Sequence, residues 1–173
     1  MLRAMSPDPA APSGASPLRW QLARFPELTP DALYAALQLR QLVFVVEQTC
    51  PFLDADGADA RAWHLLGWTH DASGAPLLGA YARLFAPGDM YAEASIGRVV
   101  THPSVRRSGL GRALMREALA RVDALAPGAP VRIGAQRYLE HWYGTLGFVR
   151  DGAEYLEDGI PHVEMRRAER PIG

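Results

Sequence analysis

Short apolar segments recur along the chain, and several alternate apolar with polar positions as half-buried strands do. Leu18, Trp20 and Leu22 alternate in this way. The runs WHLLGWT and PLLGAYARLF are separated by HDASGA, which favours a hairpin turn, and SIGRVVT follows as a third strand of the same meander. Strands are therefore predicted at 18–25, 63–69, 76–85, 95–101 and 130–136, with a turn-rich strand pair within 148–167.

Helix start and stop signals mark three other segments. Thr29 suits an N-cap and Pro30 the first helical position, which begins a helix that continues through an apolar run. Gly147 is placed to end the last helix in the left-handed conformation. Helices are predicted at 28–48, 110–125 and 138–148. The apolar stripe of the second is predicted to comprise Leu110, Ala113, Leu114, Ala118, Val122 and Leu125.

The order of these elements indicates the fold class. A strand and a helix precede a run of antiparallel strands, and two further strand–helix pairs and a strand pair follow without an internal repeat. This order predicts an α+β fold, a mixed sheet with helices on both faces. Residues 1–17, rich in Pro, Ala, Ser and Gly, are predicted to be a disordered N-terminal arm, and residues 18–170 a single domain.

Composition narrows the classes of function. A net charge of −1 provides no basic field for nucleic acid, and the apolar runs are too short to span a bilayer. The single cysteine, Cys50, excludes an internal disulfide, and the histidines show no metal-binding spacing. The N-terminus carries no apolar secretory segment. We therefore expect a cytoplasmic protein with no metal and with neither nucleic acid nor membrane as partner.

The loop before the second helix is the first candidate for chemistry. It reads Arg106-x-x-Gly109-x-Gly111 and leads directly into the helix. Helix N-termini with a glycine-rich approach bind phosphate through free backbone N–H groups. The spacing matches neither the Walker A loop nor the dinucleotide-binding fingerprint. Taken alone, the segment fits a plain strand-to-helix turn as well as a phosphate site.

Two motifs together resemble those of the GCN5-related N-acetyltransferases (GNAT). Arg106, Gly109 and Gly111 match the pyrophosphate signature of that family, and Trp142, Tyr143, Gly147 and Phe148 match its aromatic–Tyr–x₃–Gly–Phe element. Blocks such as AYARL, IGRVV, IGAQ and EDGIPHVEM, spread over residues 28–167, resemble the ElaA-type branch. The resemblance implies a mostly antiparallel sheet of about 6–7 strands, acetyl-CoA as co-substrate, direct acetyl transfer to a primary amine, and a monomer or homodimer.

The resemblance also implies which residues bind the cofactor. The strand before the loop is expected to splay from its neighbour and pair its backbone with the pantetheine arm. The expected cofactor-binding residues are Val99, Val100, Thr101, Arg106, Arg107, Ser108, Gly109, Leu110, Gly111 and Arg112. Arg107 stands where many members have glycine. The side chains of Arg106 and Arg107 are expected either to add charge at the phosphates or to be solvated.

Catalytic roles are assigned from the same motif and from residue chemistry. Tyr143 is expected to donate the proton to the leaving thiolate, because a phenol is protonated at neutral pH; otherwise it is a core aromatic. Glu47, after an apolar run, and His162, of a type that titrates near neutrality, are candidate bases. Glu93 is a third candidate, and ordered water is the remaining alternative.

Polar residues inside apolar strands are candidates for the acceptor site. Arg83 and Arg98 are expected either to pair with acids such as Glu47, Asp54 or Asp56, or to face the acceptor together with Gln136. The acidic loop 54–59 is expected either to attract a cationic amine or to be a solvated surface. Cys50 is expected not to act as a nucleophile, since no local His and Asn/Asp pair accompanies it.

Two other functions remain open at this point. One set of positions faintly resembles acyl-homoserine-lactone synthases, which share the fold but use acyl carriers and S-adenosylmethionine. The set comprises the run from Arg40 to Phe44, then Asp54, Asp56, Asp59 and WHLLG, with Arg83 later. A CoA-binding sensor without transfer activity would need the loop but not Tyr143 as donor.

Overall fold

A computed structural model describes residues 18–168, so the predicted arm 1–17 and the predicted domain end at 170 lie outside the described residues. The strands are β1 (Arg19–Arg24), β2 (Trp63–His70), β3 (Pro76–Phe85), β4 (Ala94–Thr101), β5 (Val131–Gln136), β6 (Val149–Glu157) and β7 (Ile160–Arg167). The α-helices are α1 (Pro30–Arg40), α2 (Leu110–Leu125) and α3 (Glu140–Gly144). Within residues 18–168, each helix is too short or too polar to cross a bilayer.

The strands form one sheet of seven in the order β1-β2-β3-β4-β5-β7-β6. Every neighbouring pair is antiparallel except β4 and β5, which run parallel. The predicted meander corresponds to β2, β3 and β4. The predicted α+β class and mixed sheet are confirmed.

Helices cover both faces of the sheet, as the sequence predicted. On one face α2 and α3 pack on a core that includes Leu65, Ala82 and Ile96. On the other face α1 packs over Leu66 and Tyr81. Alternate residues of the central strands thus supply two cores, which is why these strands are almost uninterruptedly apolar.

Helix α2 has the bounds that the sequence predicted, but its apolar stripe differs slightly. Met115 and Leu119 are fully or nearly buried, whereas Ala113 and Leu125 are only half-buried. Leu114 is 0% exposed, and complete burial of a leucine stabilises a fold by roughly 1.5–3 kcal/mol. The stripe is therefore shifted around the helix, with Met115 and Leu119 in place of Ala113 and Leu125, and it packs α2 on the sheet.

The first predicted helix, 28–48, is not a single α-helix. Thr29 accepts a hydrogen bond from the N–H of Ala32, which confirms the N-cap, but α1 ends at Arg40 and a π-helix continues through Gln41–Glu47. The N–H of Gln48 bonds the carbonyl of Val43, five residues back. Long π-helical segments are rare and often occur at functional sites. Here the π-helix carries Glu47 towards the loop that contains Arg106.

The third predicted helix, 138–148, is shorter than the sequence indicated. It comprises a 3₁₀ turn, Arg137–Leu139, and the single turn of α3. Gly147 has φ +89° and the N–H of Phe148 bonds the carbonyl of Tyr143, so the predicted left-handed glycine is confirmed. This closure holds Tyr143 against the sheet.

Candidate functional site

Strands β4 and β5 separate shortly after they meet. They pair only at Ala94 with Val131 and at Ser95 with Arg132, although β4 continues to Thr101 and β5 to Gln136. The expected splay is therefore present. Parallel neighbours would otherwise bond along their whole shared length, so the splay leaves backbone edges of both strands for another partner. We call the region between Ile96–Thr101 and Ile133–Gln136 the β4–β5 opening.

Ion pairs hold the closed end of this opening. Arg132 Nη2 lies 2.8 Å from Glu93 Oε1 and 2.9 Å from Asp151 Oδ2, and its guanidinium also covers the ring of Tyr91. The hydrogen bond from Arg132 lowers the pKa of Glu93. Glu93 therefore fastens the closed end of the opening through its ion pair with Arg132, which argues for a structural role and against a role as base.

The loop after β4 approaches α2 through left-handed backbone. Arg107 has φ +64° and Gly109, the N-cap of α2, has φ +86°. A left-handed conformation suits glycine better than any other residue, so Arg107 adopts this backbone at a steric cost. The chain is thereby turned so that α2 begins at the mouth of the β4–β5 opening, directly after the strand.

The N-terminus of α2 offers unbonded donors. No side chain caps it, and across residues 18–168 no group accepts from the N–H groups of 107–112. A Cβ built on Gly109 would have nothing within 4 Å, and one on Gly111 would meet only Thr101 Cγ2 at 3.9 Å. Free N–H groups, a helix dipole and open space in front of the glycines together fit a pyrophosphate.

The side chain of Arg106 does not turn towards those amides. Its Nη1 and Nη2 donate to Glu47 Oε1 and Oε2 at 2.8 and 2.9 Å. Two of its guanidinium donors therefore bind Glu47, while the side chain remains 38% exposed. Arg112, at the other side of the first turn, donates to Thr145 Oγ1 at 3.2 Å and links α2 to α3.

Glu47 occupies a different environment from the one expected. The sequence suggested an apolar wall, whereas its side chain is 42% exposed and paired with Arg106. The physical reason is the π-helix, which ends at Glu47 and projects its last turn over the loop. Glu47 thus lies beside the loop that precedes α2, with its carboxylate oriented by Arg106.

Tyr143 lies within the core on the α2 face. It is 6% exposed and makes edge-to-face contacts with Trp142 and Phe148, at centroid distances of 4.8 and 5.9 Å. Burial, with a smaller contribution from Tyr138, raises the pKa of the Tyr143 phenol. No residue in the described range 18–168 bonds its hydroxyl. The phenol is therefore neutral, and its proton is available to a ligand.

His162 and Gln136 face each other at the tips of β7 and β5. His162 Nδ1 lies 2.8 Å from the carbonyl of Ile160, which can only accept, so Nδ1–H donates this hydrogen bond. The nearest carboxylate oxygen, of Glu157, is 4.0 Å from Nε2. Gln136 donates to Gln48 at 3.2 Å, and this contact joins the end of the π-helix to the far side of the opening.

The acidic loop forms neither of the surfaces expected of it. Asp54 and Asp59 are 7% and 9% exposed, and both are bound by arginines. Six side chains form a closed ring of alternating charge in which every aspartate bridges two arginines. We call it the charge ring; its order is Arg40, Asp54, Arg98, Asp56, Arg83 and Asp59.

Of the two alternatives for Arg83 and Arg98, the structure shows pairing with acids. Arg83 is 3% exposed and directs Nη1 and Nη2 to Asp59 and Asp56, so it has no free face for an acceptor. Arg98 keeps a 29% exposed side chain. Sequence reasoning noted Arg40 without predicting its ion pairs; an arginine inside the apolar run LQLRQLVF, which the structure buries fully, was the available signal.

Cys50 is buried, and its thiol contacts the carbonyl of Asp158 at 3.5 Å. The contact joins the loop after the π-helix to the β6–β7 turn. No histidine contacts its sulfur within the part of the chain that the structure describes. This geometry fits a packing role for Cys50.

Comparison with known proteins identifies the family to which this chain is similar. The family model described as acetyltransferase (GNAT) domain matches residues 72–169. Protein ElaA of Escherichia coli is 41% identical over 152 residues, which cover 87% of this chain and 96% of ElaA, and its crystal structure superposes with a TM-score of 0.79. An acyl-CoA N-acyltransferase from Pseudomonas aeruginosa is 43% identical with a TM-score of 0.81, over 88% of this chain and all of that one.

A more distant likeness concerns the fold alone. A CoA-dependent acyl-homoserine lactone synthase superposes over 91% of this chain and 85% of its own with a TM-score of 0.67, but at 17% identity. The β4–β5 opening and the uncapped start of α2 are present, and the close relatives match most of the chain. The chain therefore belongs to the acetyltransferase (GNAT) family, in its ElaA-type branch, and is an acyltransferase.

Proposed function

We propose that this protein transfers an acetyl group directly from acetyl-CoA to a primary amine. The observation that carries the proposal is the β4–β5 opening, which leads to the uncapped N-terminus of α2. A thioester on a long amide-containing arm with a pyrophosphate at its end matches both parts of this site. The arm can bond strand edges, and the pyrophosphate can bond helix amides.

Binding would use mainly backbone. The edge of Val99, Val100 and Thr101 pairs with the pantetheine amides, and the N–H groups of 107–112 surround the pyrophosphate. Because Gly109 is left-handed and has no atom in front of it, the phosphates approach the helix closely. Arg107 adds positive charge at the rim, whereas Arg106 acts through its pair with Glu47.

In the transfer, the amine nitrogen attacks the thioester carbonyl carbon, a C–N bond forms and the C–S bond breaks. The thiolate takes the phenolic proton of Tyr143, which later recovers one from solvent. The high pKa of the buried phenol supports this role, because the group stays protonated until a strong acceptor forms beside it.

The amine proton needs a base, and two side chains remain candidates. In support of His162, its Nδ1–H is held by the carbonyl of Ile160, and within residues 18–168 no group lies within hydrogen-bond distance of its Nε2, which is 4.0 Å from Glu157 Oε2. In support of Glu47, its carboxylate is held by Arg106 beside the loop that precedes α2. Ordered water is the third route. Gln136, beside His162 and Gln48, is proposed to contact the acceptor; Arg98 is the less favoured contact because two aspartates hold it.

A CoA-release assay tests the proposal. The protein with acetyl-CoA is screened against small amines, polyamines, aminoglycosides and peptides, with Tyr143→Phe as matched variant. Release of CoA with one acceptor class, lost in the variant, supports N-acetyl transfer. Tight acetyl-CoA binding without turnover on the whole panel would indicate a sensor, and turnover only with acyl carrier and S-adenosylmethionine would indicate lactone synthesis.

The compartment and assembly state belong to the same proposal. One cysteine in a chain of 173 residues is typical of proteins that work in a reducing cytoplasm. We propose a cytoplasmic monomer or homodimer.

A further inference from the structure

The charge ring connects four separate parts of the chain. Arg40 ends α1, Arg83 lies in β3, Arg98 lies in β4, and the three aspartates come from the loop 54–59. The ion-pair distances around the ring are 2.7, 2.8, 3.3, 2.7, 3.1 and 2.7 Å. Because each aspartate bridges two arginines, the charges balance, and each side chain is held from two directions.

Two members of the ring are anchored in the interior. Arg40 is 0% exposed and Arg83 is 3% exposed. The hydrogen bond from Arg83 lowers the pKa of Asp56. Burial alone would raise the pKa of Asp59, but the hydrogen bond and charge of Arg40 together with Arg83 lower it. Asp56 and Asp59 are therefore ionised, and Arg98 is the member that the buried part of the ring holds at the edge of the opening.

Arg98 has an unusual backbone for a strand residue. Its φ is +49°, in the left-handed region that residues other than glycine seldom adopt. The register of β3 against β4 shifts at the same place, since Tyr81 pairs with Val100 but Arg83 pairs with Gly97. Arg98 thus forms a β-bulge, which re-aims the residues that follow it. Those residues are Val99, Val100 and Thr101, the edge of the β4–β5 opening.

Three residues contact the side chain of Arg98. Its Nε lies 2.8 Å from Asp54 Oδ1, its Nη2 lies 3.3 Å from Asp56 Oδ2, and its guanidinium covers the ring of Phe44 at 5.8 Å. A left-handed arginine costs more than an extended one, so the contacts of the side chain must compensate for the backbone. An extended Arg98 would carry its guanidinium to the other face of the strand, away from the ring.

We propose that the charge ring holds Arg98 in the left-handed conformation and thereby sets the bulge that keeps the edge of Val99–Thr101 directed into the β4–β5 opening. Asp54 and Arg40 are then positioning residues for the β4–β5 opening, although Asp54 lies in a loop and Arg40 in a helix outside it. The inference rests on the proposed function for its ligand, but not for its geometry.

A pair of variants separates backbone from side chain. Arg98→Ala and Arg98→Gly remove the same ion pairs, but only glycine adopts φ +49° without a steric penalty. The alanine variant should weaken CoA binding, measured by calorimetry, about tenfold, and the glycine variant should stay within about threefold of the unchanged protein. Arg61→Ala, an exposed arginine outside the ring, should leave the affinity unchanged.

Two results of that pair would overturn the proposal. If the glycine variant binds as weakly as the alanine variant, the Arg98 side chain acts by itself and the bulge is not what matters. If the alanine variant binds like the unchanged protein, the ring does not control the edge.

A second experiment needs no cofactor. Asp54→Asn keeps the shape of the side chain but removes its charge, and NMR backbone shifts of residues 98–100 report φ in the unliganded protein. The shifts should move towards extended values, while Asp71→Asn, in the β2–β3 turn, should leave them unchanged. Unchanged shifts in Asp54→Asn would contradict the proposal. If the unchanged protein binds no acetyl-CoA, the proposed function fails. The NMR shifts then still test whether the charge ring controls the backbone of Arg98.

Discussion

Arg106 and Glu47, which are 59 residues apart in sequence, are joined by two parallel hydrogen bonds of 2.8 and 2.9 Å. The contact fastens the end of the π-helix to the loop that precedes α2. One partner belongs to the pyrophosphate signature and the other is a candidate base. The pair therefore links the proposed cofactor loop to a proposed base.

A double-mutant cycle measures this link. The side chains are 38% and 42% exposed, so Arg106→Ala, Glu47→Gln and the double variant should show a coupling free energy of about 0.2–1 kcal/mol in chemical denaturation. The coupling should shrink at high salt, because exposed pairs are screened. Strictly additive effects would show that the contact is not formed in solution.

Replacing Tyr143 by Phe removes the proposed proton donor and little else. The hydroxyl bonds no residue in the described range 18–168, and the ring contacts with Trp142 and Phe148 remain. We expect kcat to fall by about 10²–10⁴, the range for lost general acid catalysis, with Tm and CoA affinity nearly unchanged. A kcat equal to that of the unchanged enzyme would remove Tyr143 from the mechanism.

Gly109→Ala tests the phosphate cradle against a control with the same backbone strain. Gly109 and Gly88 have φ of +86° and +90°, and neither would present its new Cβ to an atom within 4 Å. Both variants should lose about 1–2 kcal/mol of stability. Only Gly109→Ala should also weaken CoA binding, because its Cβ lies where the phosphates approach. Equal CoA affinity in the two variants would show that the loop only connects the strand to the helix and does not bind the phosphates.

Breaking the charge ring at Asp59 should destabilise the fold. Asp59 bonds both Arg40 and Arg83, and its removal leaves two buried arginines without one of their partners. We expect Asp59→Ala to lower the free energy of unfolding by about 3–5 kcal/mol, measured with urea. The control is Asp71→Asn, which keeps the size of an exposed turn residue. A loss below 1 kcal/mol would mean that the ring behaves as a surface network.

His64 makes the fold sensitive to mild acid. Its Nε2–H donates to the carbonyl of Asp59 and its Nδ1 accepts from Tyr81, so the buried ring is neutral, and burial lowers its pKa. The unfolded chain binds the proton first, at its ordinary pKa near 6.5. Stability is therefore present above about pH 6.5 and lost as the pH falls from there towards the lowered pKa of the folded state.

His64→Gln checks this pH dependence, because an amide can keep one donor and one acceptor and does not titrate. Tm between pH 7 and 5 should fall less in the variant than in the unchanged protein. Burial also lowers the pKa of His102. Because His102 is present in both proteins, its contribution to the pH dependence of Tm is the same in each. Identical slopes would assign the acid sensitivity to other groups.

Local signals were sufficient for much of the fold. Thr29 and Pro30 predicted the start of α1, Gly147 predicted the end of the α3 segment, and the bounds of α2 followed from its apolar period. The loop at Arg106, Gly109 and Gly111 was also visible, because helix starts and glycines act through neighbouring residues. These features depend on backbone geometry within a few positions, which a sequence encodes directly.

Tertiary structure decided the partners of the charged side chains. The sequence showed Arg83, Arg98 and an acidic loop, but not that Arg40 completes a closed ring with them, because ion pairs join residues far apart in the chain. It showed Glu47 after an apolar run, but not the π-helix that brings Glu47 to Arg106. Sequence alone thus determined the elements and the cofactor motif, whereas the surroundings of each catalytic candidate were decided by long-range packing and charge pairing.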